Sequence, residues 1–220
     1  MNRPPGLRER KKQQTRELIA QVARSLFTER GFEAVTVDDV ARAADVSRKK
    51  VFNYFPTKED LVYWRLETFE SELLTAVGER RPGESITAAF ERFVLTPRGL
   101  LAERDPEAVE HLAALTRMIV ASPALLAREG QIFERYTASL ADLIAEQTRP
   151  RDDDVEPWVA ANAMMGVHRA LVYFTRERVL AGMRNPQLAR DVRKQAKRAI
   201  ALLEQGLGRL EDRSELRSSG

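Results

Sequence analysis

The sequence predicts an all-α protein, with a small N-terminal three-helix unit followed by a larger helical domain. Three observations predict this. Apolar residues recur at spacings of three and four through most of the 220 residues, with no strand-like alternation. Ser, Thr and Pro punctuate these stretches at positions suited to helix starts. Residues 36–61, TVDDVARAADVSRKKVFNYFPTKEDL, place a short capped helix, a tight turn, a second short helix with basic residues, a proline stop and a third helix start in that order.

The elements follow along the chain. Residues 1–12 are polar and contain Pro4, Pro5 and Gly6, which reads as a disordered basic arm. Leu18, Ile19, Val22, Ala23, Leu26 and Phe27 share one face of a helix from about Gln13 to Arg30. Gly31 supplies a left-handed end, with Phe32 folding back as its apolar partner. Thr36 caps the next helix, and Asp39 three residues on completes a box-like pair. Val37, Val40, Ala41 and Ala44 face inward, and Asp45-Val46 is the turn. Ser47 caps a helix whose inner face is Val51, Phe52 and Phe55, and Pro56 ends it. Thr57 with Asp60 repeats the capping pattern ahead of one longer helix from Leu61 through Trp64, Phe69 and Leu73 to about Val77.

Arg81-Pro82-Gly83 is a break. Helices are then expected at Ser85 to Leu95, Pro106 to Ala121, Pro123 to Thr148, Val155 to Arg178 and Pro186 to Leu210, with several prolines in first turns. Residues 211–220 form a polar, disordered tail. The domain boundaries read 1–12 arm, 13–60 helix-turn-helix, 61–210 larger helical domain, and 211–220 tail.

Composition narrows the function. With 43% apolar and 31% charged residues the chain is expected to be a folded, cytoplasmic protein. No apolar run approaches membrane-spanning length, so no membrane partner is expected, and residues 1–12 lack the apolar core of a secretory signal. The absence of cysteine excludes disulfides and thiolate metal sites. Two histidines, no glycine-rich phosphate loop and no nucleophile elbow leave little for an enzyme, and no cofactor or metal is expected. Asp152, Asp153 and Asp154 lack the spacing of a calcium loop and suit the start of the following helix. The formal net charge is +3, but residues 1–60 hold 13 Lys and Arg against 9 Asp and Glu, so the positive excess sits beside the helix-turn-helix.

A two-helix reading unit packs one face and offers the other to the major groove. Between Ser47 and Phe55 the outward positions are Arg48, Lys49, Lys50, Asn53 and Tyr54. Arg and Lys can donate to guanine edges and Asn can pair with adenine. Tyr54, Lys58 and the helix start capped by Thr36 suit phosphates. Taken alone, Arg48 to Lys50 reads more readily as a solvated charge run. Its setting between two capped helices and the segment YFPTKEDL favours double-stranded DNA as the partner.

The segment from about Gln14 to Leu66 resembles the DNA-binding domain of tetracycline-repressor-type (TetR-family) regulators. The resemblance rests on a first helix ending LFTERGF, then VTVDDVARAADVS, then VFNYFPTKEDL. It implies that the Ser47 to Phe55 helix reads bases and that Tyr54 and Lys58 grip the backbone. It also implies a homodimer on a palindromic operator, with repression relieved by a small ligand. Asp45 stands where the family usually has a turn glycine, so the turn is αR or uses the tolerance of aspartate for αL. Lys49, Phe52 and Asn53 depart from the frequent small residue, tyrosine and histidine, which points to a non-standard operator.

In the C-terminal domain Leu188, Val192, Ala196, Ala199, Leu203, Leu207 and Leu210 form a continuous stripe. With Ala163, Gly166 and Ala170 of the preceding helix it could build a four-helix bundle with a second subunit, or pack inside one. Candidate pocket residues are Phe90, Phe93, Met118, Phe133, Tyr136, Trp158, Met164, Met165, His168, Tyr173 and Phe174. Met and aromatic side chains suit an adaptable apolar cavity, though most such residues are plain core. The reading is a homodimeric repressor released from its operator by a small, mostly apolar effector. The alternatives are an effector-free DNA-binding activator or architectural protein, and a helical protein-interaction module.

Overall fold

A computed structural model describes residues 6–64, 66–98, 106–148, 154–183 and 186–205. Its order is α1 (Leu7–Arg30), α2 (Val37–Ala43), α3 (Arg48–Tyr54), α4 (Asp60–Tyr63), α5 (Leu66–Gly78), α6 (Ile86–Val94), α7 (Pro106–Ala121), α8 (Pro123–Thr148), α9 (Glu156–Leu180) and α10 (Gln187–Gln205). The described residues contain no strand, and the fold is all-α as expected.

The chain forms two compact units. The first comprises Met1–Glu67 and Arg117–Glu129, the second Thr68–Thr116 and Gly130–Gly220. The division falls within α5, α7 and α8 rather than at residue 60. The first unit therefore takes in the α7/α8 corner, which no local pattern assigns to it.

In the first unit α1 packs on α2 and α4, and α2 packs on α3. Ile19, Ala20, Ala23, Phe27, Val40, Val51, Phe55 and Leu61 are all buried there. The expected arm is shorter than its reading, because α1 begins at Leu7. Residues 7–12, LRERKK, lack an apolar stripe but are strong helix formers. The remaining arm residues 1–5 lie outside the described residues. Leu18 is exposed, not part of the inner face. Gly31 ends α1 with φ +83° and ψ 153°, a region open essentially to glycine alone, and donates its N–H to Phe27 O at 2.9 Å. The Phe27 and Phe32 rings meet at 5.1 Å between centroids.

The corner is held to α1–α4 by three polar ties. The Tyr63 hydroxyl donates to Leu125 O at 3.0 Å. Ser122 donates to the Glu33 carboxylate at 2.6 Å. Arg128 pairs with Asp60 at 2.8 Å.

In the second unit α10 packs along α9 and α6, and α6 also touches α9. Of the α10 stripe Leu188 and Ala196 are buried within one chain, as is Ile200 beside it, while Val192, Ala199 and Leu203 are half-buried. Leu207 and Leu210 lie outside the described residues, as does the expected tail. The single helix expected from Leu61 to Val77 is instead two, since α4 stops at Tyr63 and α5 begins at Leu66.

Candidate nucleic-acid interface and regulatory core

Local chemistry sets the angle between α2 and α3. The Thr36 hydroxyl accepts the Asp39 N–H at 3.2 Å, and the Asp39 carboxylate accepts the Thr36 N–H at 3.0 Å, a reciprocal capping box. The Thr36 hydroxyl, which also donates to the Asp39 carboxylate at 2.6 Å, and then the Thr36 N–H hold that carboxyl below its ordinary range. Such a cap contributes about 1 kcal/mol. Asp45 then turns the chain in the left-handed region at φ +52°, and Val46 donates to Ala41 O at 2.9 Å. The Ser47 hydroxyl accepts the Lys50 N–H at 3.1 Å and starts α3. Val51 and Phe55 fix the inner face of α3 in the core. Phe55 itself is extended ahead of Pro56.

Arg48, Lys49, Lys50 and Asn53 are exposed on the outer face of α3, and Tyr54 is half-buried at its end. Phe52 belongs to this outer face, not to the expected inner one. It is 37% exposed, and the Arg48 guanidinium lies 5.5 Å from its ring centroid. One turn separates Arg48 and Phe52, so they share a face that the fully buried Val51 does not. Arg48 also donates to Asp38 of α2 at 3.0 Å. The Lys58 ammonium sits 4.1 Å from the Phe32 ring centroid. The start of α2 at Thr36 already carries Asp38 and Asp39. Sequence reasoning missed Asp38, which lies in the first turn of α2, ten residues before Arg48.

The second unit gathers part of the expected pocket set. Phe93, Tyr136 and His168 converge on Phe69 of α5, which the sequence places only on the helix after the reading unit, and Phe133 joins through Tyr136 and His168. Phe69 stacks on His168 at 4.5 Å and on Tyr136 at 5.7 Å, and meets Phe93 edge-on at 5.1 Å. Phe133 meets His168 edge-on at 5.6 Å. Burial among these rings, helped by the charge of Arg98, pushes His168 down to about 4. Phe90, Met164 and Met165 are buried core. Arg98 lies 3.7 Å from the Phe93 centroid and pairs with Glu72 at 2.9 Å, while Arg135 pairs with Glu70 at 3.1 Å.

The other candidates do not join this cluster. Trp158 is 50% and Tyr173 64% exposed on α9. Phe174 is half-buried beneath Arg178, and Met118 belongs to the first unit. Two open concavities lie elsewhere. One of about 530 Å³ lies at the α9–α10 turn around Gly182 and Arg190, and one of about 820 Å³ lies around Arg80, Pro82 and Gln147. The described residues hold no group of three or more His, Asp or Glu that could bind a metal, and no helix long and apolar enough to cross a membrane.

Residues 19–63 match the family model of bacterial regulatory proteins of the tetR family, and residues 84–208 match that of the MftR C-terminal domain. The chain belongs to the TetR family. The similarity extends to whole relatives. The chain is 30% identical over 157 residues to the HTH-type transcriptional regulator TcmR of Streptomyces glaucescens, covering 70% of this chain and 69% of that one. It is 26% identical over 161 residues to the regulator MftR of Mycobacterium tuberculosis, covering 72% and 78%. Its fold is similar to that of the fatty acid degradation regulator FadR from Bacillus halodurans, at TM-score 0.53 and 17% identity over 94% of this chain and 99% of that one. As a TetR-family member the protein is a DNA-binding transcription regulator and not an enzyme.

Proposed function

We propose that the protein is a cytoplasmic, homodimeric repressor that binds a palindromic operator through α3 and is released by a small, mostly apolar effector. One observation carries the DNA-reading part. The buried Val51 and Phe55 turn Arg48, Lys49 and Asn53 outward together on a short helix capped at Ser47. Arg48, Lys49 and Asn53 read bases, and Tyr54 and Lys58 position the backbone, with Lys58 leaving the Phe32 face to reach a phosphate. Two-fold pairing is supported by the outer face of α9, which leaves Val159, Trp158 and Tyr173 in solvent.

The effector part rests on the aromatic cluster around Phe69 and His168. A neutral histidine among four aromatic rings suits an aromatic or acyl ligand. The cluster's rings are in mutual contact, so a ligand must part them to enter. That observation also favours the second reading, a regulator without an effector. Selection of bound duplexes from a randomised pool tests DNA reading. The protein should enrich a two-fold symmetric site, and enrichment of nothing would defeat the proposal. A panel of aromatic and acyl compounds, scored for loss of the selected duplex, separates the two regulator readings. Release by a member of the panel supports the ligand-responsive one.

A further inference from the structure

We propose that Asp38 is a specificity-determining residue of the reading unit, holding the Arg48 guanidinium over Phe52 in the pose that reads a guanine. The inference rests on the DNA-reading role proposed above. Asp38 belongs to α2 and Arg48 to α3, and their side chains meet across the turn at 3.0 Å between Oδ2 and Nη1. Phe52, one turn further along α3, lies under the same guanidinium at 5.5 Å. Neighbouring Asp39 is already engaged by Thr36 and by Arg42 at 3.3 Å, which leaves Asp38 to hold Arg48.

A carboxylate at Asp38 favours the start of α2, but fold stability does not account for Arg48 and Phe52 beside it. Arg48 and Asp38 are 61% and 51% exposed, and ion pairs so open to water add little to folding. Phe52 leaves a large apolar ring on the surface of a helix whose core positions are filled by Val51 and Phe55. A carboxylate beside the reading helix is moreover repelled by every phosphate it approaches, whatever the sequence.

Orientation does account for it. An arginine carries five N–H donors, and Asp38 engages one nitrogen. The rest of the fork remains for the paired acceptors of guanine in the major groove. A guanidinium already held between a carboxylate and a ring loses less freedom when it docks. Asp38 also offsets the charge that would otherwise draw Arg48 to any phosphate. It therefore weakens binding to random DNA more than binding to a site with guanine at that position. The exposed edge of Phe52 lies beside the guanidinium, where a thymine methyl on an adjacent pair would meet it.

The test uses the full-length protein and a pool of duplexes with a randomised central stretch. The site enriched by the wild type, its single-pair variants and a random duplex are then bound by Asp38→Ala, Asp38→Asn, Asp38→Glu, Arg48→Ala and the Asp38→Ala/Arg48→Ala double variant. Asp38→Ala and Asp38→Asn should bind the random duplex about 2–5-fold more tightly and lose about 10-fold in discrimination at one G·C pair. That pair should be the one Arg48→Ala no longer reads, with no further loss in the double variant and partial recovery in Asp38→Glu. Because Asp38→Asn keeps the shape of the side chain, agreement of the Ala and Asn variants separates lost charge from a disturbed α2. Unchanged base preference in Asp38→Ala, or relaxation at a pair other than that of Arg48→Ala, overturns the role of Asp38 while leaving DNA reading intact. Enrichment of no sequence by the wild type overturns both.

Discussion

At the scale of single residues, two positions carry predictions because their surroundings force an unusual state. Asp45 sits at φ +52°, where its short polar side chain is tolerated but a branched one is not. Asp45→Val should destabilise the protein by about 1–2 kcal/mol, whereas Asp45→Gly should stay within about 0.5 kcal/mol of the wild type, relief of strain offsetting added freedom of the unfolded chain. Urea midpoints at constant slope read the difference, and equal loss in both variants would refute the strain argument. His168 is held at about 4, below the 6.5 of an unperturbed imidazole. The unfolded chain therefore takes up the proton first, and this contribution to stability is complete above pH 6.5 and falls as pH drops toward 4. The loss is at most about 3 kcal/mol. Glu84, held at about 2 by Arg92, loses its contribution only as pH falls from 4.5 toward 2, so pH 6.5 to 5 isolates the histidine. His168→Gln should flatten the wild-type decline in melting temperature across that window. An identical decline in the variant would show that the ring is not its source.

At the scale of elements, the sequence was informative wherever the cause is local. The caps at Thr36, Ser47 and Ser85, the prolines opening α7 and α8, and the glycine ending α1 each write their boundary within four residues. Phe52 was misplaced because a seven-residue helix has too few turns to tell its inner face from its flank. The grouping of the α7/α8 corner with α1–α4 was not legible because its ties to them span 62, 68 and 89 residues of sequence, and no periodicity records them. Those ties predict the cost of cutting them. Tyr63→Phe removes the donor to a buried Leu125 carbonyl and should cost about 1–3 kcal/mol. Arg128→Ala leaves Asp60 half-buried without that guanidinium and should cost a similar amount, about 1–3 kcal/mol. Chemical denaturation reads both, and wild-type midpoints for the pair would mean that the corner does not help to hold this unit. The ligand-responsive reading gives these ties a second consequence. In that reading the helices α5, α7 and α8, within which the chain passes from one unit to the other, would carry a ligand's effect toward α3. A corner loosened by Arg128→Ala should then blunt release from DNA while sparing binding.

At the scale of the whole molecule, the exposure of α9 and α10 within one chain bears on the dimer argument. A stripe at helical spacing says that one face is buried, not which partner buries it. Of the stripe on α10, Leu188 and Ala196 are buried within the chain, while Val192, Ala199 and Leu203 are half-buried. Helix α9 is apolar on several sides, so its pattern marks no outer face. Yet Val155 at its start and Trp158, Val159, Tyr173 and Leu180 along it fall on one side at helical spacing and stand in solvent, with Gly166 open between them. An aromatic and aliphatic face of this kind on an otherwise charged surface is what a self-complementary interface uses, since a two-fold axis brings the same patch of both subunits together. The wild type should therefore sediment as a dimer of 25.0 kDa subunits at micromolar concentration. Val159→Glu with Tyr173→Glu should yield the monomer without lowering the melting temperature of the fold, because both side chains already meet water in the single chain. Binding to the selected duplex should then fall about 100-fold or more, as two linked reading units become independent ones whose α3 helices no longer bridge half-sites about 34 Å apart. A double variant that stays dimeric moves the interface off α9, and a monomeric variant that binds the duplex as tightly as the wild type removes the two-fold operator from the mechanism.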